Sequence, residues 1–167
     1  MEMLLNYPVN LGGLKTLITS PDEQYLVWPD SHVPFREAEW LEKLDCDAGH
    51  RSYYCMIGGE AVGHIAIRKT DVAHIMRIVF VVVAPAHRKR GIGHYMLDEI
   101  EKICVRERLA EQLTLRVRSY NKIAQSLYQK CGYRVYAVEG TAIDMEKHLI
   151  DRVRFFHDII SFHHLTV

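Results

Sequence analysis

The sequence predicts a mixed α/β (α+β) domain whose sheet is mostly antiparallel and contains one parallel crossover. Three observations predict it. Gly58-Gly59 lies between two β-rich runs, which is a hairpin signature. Residues 73–84 are dense in β-branched side chains and indicate a strand that is covered on both faces. From Ile92 the apolar period becomes helical, so a strand–helix–strand crossover follows.

Two helices are predicted before the first strand. "SPDE", Ser20–Glu23, is a capping box with a proline at the first helical position, so a short helix starts there. Residues 34–44 predict a second helix, with four apolar residues at helical spacing. These are Phe35, Ala38, Leu41 and Leu44.

The remaining elements follow from periodicity and turn residues. The predicted strands are "RSYYCMI", "AVGHIAIRK", residues 73–84, "QLTLRVR", "YRVYAV" and "AIDMEKHL". A helix runs from Ile92 to about Ala110, and "NKIAQSLYQKCG" forms another that ends at Gly132. The apolar stripe of the first of these helices consists of Ile92, Met96, Ile100 and Ile103.

The composition argues against several classes of protein. Lys plus Arg and Asp plus Glu both number 21, which argues against a protein that binds nucleic acid through bulk charge. The four cysteines are scattered without a C-x-x-C pair, so we expect reduced thiols in a cytoplasmic protein. The N-terminal sequence is unlike a signal peptide, and the longest apolar run, 78–85, is too short to span a membrane. The ten histidines lack the spacing of a structural zinc site, so we predict no metal.

We predict one domain over residues 1–149, followed by an amphipathic tail over residues 150–167. The tail places apolar residues at helical spacing. These are Val153, Phe156, Ile159 and Ile160. Packing on the domain is the default expectation, and a dimer contact or a cover over the acceptor cleft are the alternatives.

The stretch "HRKRGIGHYM", 87–96, places basic side chains directly before the start of a helix. Cations are unfavourable at a helix N-terminus, where unpaired N–H groups and the helix dipole already carry positive charge. A bound anion reverses that effect, and Gly91 and Gly93 let it approach the amides. The stretch therefore has two interpretations, a pyrophosphate cradle or a solvated basic turn with a glycine hinge. It matches neither a Walker loop nor a dinucleotide fingerprint.

Two blocks in order resemble the GCN5-related N-acetyltransferase (GNAT) superfamily. "VVVAPAHRKRGIG" is similar to that family's central strand and its Arg/Gln-x-x-Gly-x-Gly/Ala loop, here Arg88-x-x-Gly91-x-Gly93. About thirty residues later, "NKIAQSLYQKCGYRVY" is similar to the family's next block. The matching residues there are Asn121, Ala124, Tyr128, Gly132 and Tyr133. The resemblance implies the GNAT fold, with six to seven strands, about four helices and splayed central strands that bind coenzyme A (CoA).

The resemblance also implies acetyl-CoA as the acyl donor. Its pyrophosphate would lie on the backbone amides of residues 88–94, which we call the basic loop. Its pantetheine arm would pair with the backbone edge of the central strand. Asn121 is either a helix N-cap, a CoA contact or both. The expected CoA-binding residues are Val81, Val82, Val83, Arg88, Lys89, Arg90, Gly91, Ile92, Gly93, His94, Asn121 and Tyr128.

In this family the acceptor amine attacks the thioester directly. A backbone N–H near Val82 or Val83 would stabilise the oxyanion, so Val83 is expected to be catalytic through its backbone. Tyr128 matches the family's tyrosine acid, which protonates the departing thiolate. The other interpretation of Tyr128 is an aromatic side chain that packs on the sheet.

The general base is the open point. Arg77 and Arg116 stand where relatives place a glutamate, and the substitutes are His74, His64, Asp71 or Glu60 acting through a water. These arginines, with Arg118, point either into the acceptor cleft, favouring an anionic acceptor, or into solvent.

The predicted function is acetyl transfer to an amine acceptor, by a monomer or homodimer that binds neither nucleic acid nor membrane. The sequence does not identify the acceptor. The alternatives are a CoA-binding module without catalysis and a nucleic-acid-binding domain that uses "HRKR".

Overall fold

A computed structural model describes residues 1–149, which form one seven-stranded sheet and five α-helices. The strands are β1 (Glu2–Leu5), β2 (Arg51–Ile57), β3 (Glu60–Lys69), β4 (Ile75–Val83), β5 (Gln112–Arg118), β6 (Arg134–Glu139) and β7 (Ala142–His148). The helices are α1 (Gly12–Leu17), α2 (Pro21–Val27), α3 (Glu37–Lys43), α4 (Ile92–Arg106) and α5 (Lys122–Lys130), with a 3-10 turn at Pro85–His87. The tail, 150–167, lies outside the described residues.

The strand order is β1-β2-β3-β4-β5-β7-β6. Every neighbouring pair is antiparallel except β4 and β5, which are parallel and are joined by the crossover helix α4. This arrangement confirms the predicted mixed sheet. The predicted hairpin is also present, because Gly58 and Gly59 take φ angles of +58° and +84° between β2 and β3. Among residues 1–149, no helix is long and apolar enough to cross a membrane.

One apolar core lies between the sheet and helices α4 and α5, and the predicted stripe of α4 is buried in it. Its residues are Ile92, Met96, Ile100 and Ile103, none more than 6% exposed. The helix is shorter than predicted and ends at Arg106 rather than near Ala110. It ends there because Arg108 takes a left-handed φ of +54° and the Leu109 N–H turns back to the Cys104 carbonyl.

A second core lies on the opposite face under α1, α2 and α3, and here the predicted stripe of α3 was partly wrong. Leu44 is fully buried as expected, but Leu41 is 42% exposed. Trp40 is buried instead, stacked on Phe35 with ring centroids 4.7 Å apart. Burying the large Trp40 ring gains more free energy than burying Leu41 would, so the helix is oriented with Trp40 toward the core.

The prediction did not include β1 or α1. β1 is a four-residue edge strand that pairs only with β2, and most of its side chains are exposed. α1 begins with Gly12 and Gly13, which are weak helix formers. Its start is held from outside, because the Tyr54 hydroxyl accepts from the Leu14 N–H at 3.1 Å and donates to the Asn10 carbonyl at 2.6 Å.

A buried ion pair connects α4, α5 and β7. Lys147 on β7 donates to both carboxylate oxygens of Glu101 on α4, at 2.8 and 2.7 Å, and to the Cys131 carbonyl at the end of α5, at 2.7 Å. The Glu101 side chain is only 1% exposed. The Lys147 ammonium also lies 5.6 Å from the centre of the Tyr133 ring. These contacts fix the end of α5 against α4.

We expect Lys147→Met to lower the free energy of unfolding by about 3 kcal/mol, because it removes the ammonium that faces the buried Glu101 carboxylate. Urea denaturation measures this change. The control is Lys102→Met, since Lys102 is 47% exposed and pairs with Asp98 and Glu99 on the surface of α4. That variant should unfold almost as the wild type does. Equal losses in the two variants would contradict the assignment.

Candidate active site

The parallel strands β4 and β5 separate partway along their length. They pair over four residues, from Ile75 opposite Gln112 to Ile78 opposite Leu115. Beyond that point β4 stays paired with β3, and β5 stays paired with β7. A gap therefore opens between the two central strands at the carboxyl end of β4, as the splayed strands of the GNAT resemblance imply.

A β-bulge lies where the gap opens. Val79 pairs with Ala66 and Val82 with His64, so Phe80 and Val81 together oppose Ile65 alone. Phe80 has a φ of +54°, an unusual conformation for an aromatic residue. The bulge changes the side-chain alternation of the strand.

Before the bulge, Met76 and Ile78 face the core under α4. After it, Val81 and Val83 pack against that same core, whereas Phe80 packs into the core under α1–α3. The bulge therefore keeps Val81 and Val83 on the α4 side of the sheet, next to the gap.

The backbone of Val83 is directed into the gap. Val83 is registered opposite Gly63, and the next amide, Ala84 N–H, donates to the Val62 carbonyl. In an antiparallel ladder this pattern turns both backbone groups of Val83 away from β3. The same alternation turns the N–H of Val82 toward β3. Of the two oxyanion donors that we expected, Val83 fits the geometry and Val82 does not.

The basic loop leads from β4 into α4 through Gly91, which caps the helix with a left-handed φ of +79°. A Cβ atom on Gly91 would meet no atom within 4 Å. The first turn of α4 has no acidic residue, and no side chain of residues 1–149 caps its N–H groups. This helix N-terminus is therefore open to an anion.

Gly93 lies where α4 packs against α5. A Cβ atom there would lie 2.9 Å from Cδ2 of Leu127 on α5. Gly93 thus allows α4 and α5 to pack closely, and its part in a phosphate site stays a prediction. Its lack of a side chain positions α5 beside the gap.

The side chain of Arg88 is already engaged. Its Nε donates to the Val83 carbonyl at 2.9 Å, and its Nη2 donates to Oε1 of Glu23 on α2 at 2.5 Å. Lys89 and Arg90 form no ion pair with any residue between 1 and 149. These two side chains therefore carry the uncompensated charge of the loop.

Glu23 has a dual role that the sequence did not reveal. The predicted N-cap is present, since the Ser20 hydroxyl accepts from the Glu23 N–H at 3.2 Å, but the reciprocal bond of the capping box comes from Thr19 rather than from Ser20. The Glu23 carboxylate accepts from the N–H and hydroxyl of Thr19 as well as from Arg88. Burial alone would raise the pKa of Glu23, but these donors outweigh it and hold the pKa below its usual value. The carboxylate stays ionised and ties α2 to the basic loop.

Tyr128 lies on α5 in the core that Val81 and Val83 also contact, and it is 8% exposed. Its ring packs edge-on to Tyr133, with centroids 6.1 Å apart. Burial, together with the nearby Cys131 thiol, raises the pKa of Tyr128 well above its ordinary value, so the phenol keeps its proton. No residue between 1 and 149 forms a hydrogen bond with its hydroxyl.

Asn121 caps α5, because its Oδ1 accepts from the Ala124 N–H at 3.2 Å. The N-cap interpretation is confirmed, and a CoA contact stays a prediction. Ile92 and His94 lie in the first turn of α4, as the loop pattern requires. The His94 ring lies 3.3 Å from the Cys131 sulfur.

The arginine at one expected base position is paired with a carboxylate. Arg116 donates to both oxygens of Asp144 on β7, at 2.8 and 2.7 Å. The hydrogen bond from Arg116 lowers the pKa of Asp144 against the opposing effect of burial. The Asp144 carboxylate therefore lies beside the expected base position, but it is paired with Arg116. The sequence did not reveal this partner, which is 28 residues away.

The substitute bases are poorly placed. Asp71 and His74 precede β4, at the end of the strand opposite the gap. Glu60 is an exposed residue in the first position of β3. His64 is fully buried, and desolvation lowers its pKa to about 4, so it is neutral at physiological pH.

A cavity of about 530 Å³ lies away from the gap, at the end of the sheet where β2 and β4 begin. His50, Lys69, His74 and Arg108 contribute to its lining. It includes none of the expected CoA-binding residues. In the part of the chain that the structure describes, no three His, Cys, Asp or Glu side chains are grouped as a metal site requires.

Comparison with known proteins agrees with this geometry. Residues 15–133 match the family described as Acetyltransferase (GNAT) family. A streptothricin acetyltransferase of Escherichia coli is 28% identical over 120 residues, which are 71% of this chain and 66% of that enzyme, just under two thirds of its length.

Solved structures show the same fold. An acetyltransferase from Thermus thermophilus has a TM-score of 0.73 at 20% identity, with 88% of this chain and 96% of that chain covered. The PaiA N-acetyltransferase of Thermoplasma acidophilum, solved in complex with coenzyme A, has a TM-score of 0.63 at 20% identity, with 89% and 99% covered. With the splayed strands, the glycine loop and the family match together, the chain belongs to the GNAT family of acetyltransferases.

Proposed function

We propose that this protein transfers an acetyl group from acetyl-CoA to a primary amine of a small molecule or a protein. One observation carries the proposal: the backbone edge of Val81–Val83 faces a gap between β4 and β5, and the basic loop leads from there to the N-terminus of α4, where Gly91 provides no side-chain cap. An extended chain with amide groups fits the gap, and a pyrophosphate fits the helix end. CoA has both in that order.

The pyrophosphate would bind the N–H groups between Arg88 and His94. Lys89 and Arg90 would add charge attraction, since neither has an ion-pair partner among the described residues. Arg88 would contribute mainly through its backbone, because its guanidinium already holds Glu23 and the Val83 carbonyl. The open space around Gly91 gives the phosphate close access to the amides.

The pantetheine arm would pair with Val83 in the manner of an added strand. The Val83 N–H is available in the gap. Its carbonyl accepts from Arg88, but a carbonyl oxygen has two lone pairs and can accept a second donor. This pairing would bring the thioester toward the bulge at Phe80 and Val81.

The reaction requires three charges to be stabilised or neutralised: those of the oxyanion, the departing thiolate and the amine. The free amine attacks the thioester carbonyl, and a backbone N–H of the bulged strand stabilises the oxyanion, a contribution of about 2.7–4 kcal/mol for one such donor. The C–S bond then breaks, and the thiolate takes the proton of Tyr128. Before the attack, the acceptor ammonium must lose one proton to solvent or to an unassigned base, which costs about 4.6 kcal/mol at pH 7 for a lysine-like amine and about 1.4 for an α-amine. After the attack, the cationic nitrogen loses its second proton, and a proton returns from solvent to the Tyr128 phenolate.

The acceptor is proposed to be an amine without a required anionic group. Arg116 is compensated by Asp144, which removes the main argument for an anionic acceptor. The likeness to a streptothricin acetyltransferase supports a small basic acceptor. The single domain over 1–149, the monomeric or homodimeric state and the cytoplasmic location stay predictions.

A CoA-binding module without catalysis is the second candidate. The observation in its favour is that Arg116 binds the nearest carboxylate, so neither expected base position offers a free one. A panel of amines with acetyl-CoA distinguishes the two functions, because only the enzyme releases CoA. The panel should include streptothricin, linear polyamines and peptides with a free N-terminus.

We expect Gly91→Ala to raise the Kd for CoA by about tenfold, equivalent to ~1.4 kcal/mol, because the methyl group enters the space proposed for the phosphate. Isothermal titration calorimetry measures the Kd. The matched control is Gly49→Ala, since Gly49 has nearly the same φ, +80° against +79°, at the opposite end of the sheet. Both variants should lose about 1 kcal/mol of stability from left-handed strain. An unchanged Kd in Gly91→Ala would place the phosphate elsewhere.

We expect Tyr128→Phe to lower kcat by about 100-fold with little change in the KM for acetyl-CoA. Because the pKa of Tyr128 is raised, the wild-type kcat should show no decline from this group as the pH rises to about 10. Steady-state kinetics from pH 6 to 10 measure both effects. Tyr133→Phe is the control, since it removes from the adjacent ring a buried hydroxyl that has no hydrogen-bond partner among residues 1–149. An equal fall in both variants would indicate a packing role for Tyr128.

A further inference from the structure

His64 on β3 is a buried histidine that contacts the strained residue of the bulge. Its ring is 0% exposed, and its Nδ1 lies 2.8 Å from the Phe80 carbonyl oxygen. The Tyr54 ring packs edge-on against it, with centroids 5.2 Å apart. A carbonyl oxygen can only accept, so Nδ1 carries the proton and donates.

The other ring nitrogen of His64 has no hydrogen-bond partner in the described part of the chain. A buried nitrogen without a partner destabilises the fold, and so does the left-handed φ of Phe80. Neither feature is explained by stability alone. Their direct contact indicates that the bulge is held in one conformation for another purpose.

Peptide geometry shows what the contact fixes. The Phe80–Val81 peptide is not among the cis bonds of residues 1–149, so its C=O and N–H point in opposite directions. The Phe80 carbonyl points toward His64, which belongs to β3. The His64 ring packs against Tyr54 on the sheet face under α1–α3, so the Val81 N–H points away from that face, toward the α4 side of β4 next to the gap.

We propose that His64 is a positioning residue that holds the Phe80–Val81 peptide so that the Val81 N–H donates to the thioester oxygen. This inference rests on the proposed function and refines it. In this proposal the Val83 N–H, predicted from the sequence as the oxyanion donor, binds the pantetheine arm instead. Val81, two residues earlier on the same side of the strand, provides the oxyanion donor. No proton passes through His64.

Two substitutions separate the hydrogen bond from the bulk of the ring. His64→Leu fills the space without a donor, whereas His64→Asn places an amide nitrogen where Nδ1 stood. We expect His64→Leu to lower kcat by about 10- to 100-fold while the Kd for CoA changes less than threefold, and His64→Asn to keep most of the wild-type kcat. The acceptor is the best substrate of the amine panel.

The matched control is His50→Leu. His50 is also buried, and its Nδ1 also bonds a backbone group, the Lys69 N–H at 3.1 Å, but it lies at the opposite end of the sheet. We expect it to lower the melting temperature and to leave kcat unchanged. If His50→Leu and His64→Leu lower kcat equally at equal CoA-binding stoichiometry, the role of His64 is only structural and the inference is wrong.

A spectroscopic readout tests the hydrogen bond itself. Infrared difference spectra of bound acetyl-CoA labelled with ¹³C at the thioester carbonyl should show a lowered stretching frequency in the wild type and His64→Asn. The frequency should return toward its solution value in His64→Leu. An identical frequency in all three proteins would overturn the inference.

If the His64 variants do not fold, a measurement on the wild type alone still tests the inference. The Val81 amide proton should move downfield when acetyl-CoA replaces CoA, and an unmoved resonance would overturn the inference. The proposed function fails separately, by the absence of CoA binding and amine acetylation in the wild type. Wild-type transfer with an unchanged kcat in His64→Leu refutes only the role of His64.

Discussion

The short parallel pairing of β4 with β5 is the constraint on which the rest of the structure depends. Backbone N–H and C=O groups need partners, and a central strand normally obtains them from both neighbours. Here β4 loses one neighbour after Ile78, where the ladder with β5 ends at Leu115. The groups of Val81 and Val83 that face the gap must be satisfied by something other than β5. A ligand that resembles a strand meets that need, which is why the backbone rather than side chains dominates this site.

The surrounding elements keep the gap open. The bulge at Phe80 turns the strand, and His64 fixes the carbonyl of the bulged peptide. Gly93 lets α4 approach α5 next to Leu127, and the Glu101–Lys147 pair secures α5 from the other side. Tyr128 is thereby held in the buried core that Val81 and Val83 also contact, where the phenol keeps its proton. Because the chain has equal numbers of acidic and basic residues, the charge at the site comes from nearby side chains rather than from the net charge of the protein.

The parts of the fold that sequence predicted well are those governed by periodicity and turns. The stripe of α4, the hairpin at Gly58-Gly59 and the cap at Ser20 depend on residues close together in the chain. β1 and α1 were missed because such short elements take their stability from tertiary partners, as α1 does from Tyr54.

The candidate site likewise contains features that the local sequence predicts and features that it does not. The loop around Gly91 and the cap at Asn121 follow from local pattern, and the family resemblance supplied Tyr128. The contacts that tune the site join distant residues: Glu23 and Arg88 are 65 positions apart, and His64 and Phe80 are 16 apart. No local pattern identifies such partners, and the aromatic packing that buries Trp40 instead of Leu41 is equally non-local.

The most direct test of the central claim is residue-resolved amide hydrogen exchange along β4, with and without CoA. In the free protein the Val83 amide should exchange much faster than that of Val82, which faces β3. CoA should slow Val83 strongly and change Val82 little, because only the former gains a partner. Binding of CoA without protection of Val83 would contradict the account, since the gap between β4 and β5 would then not be where the pantetheine arm lies.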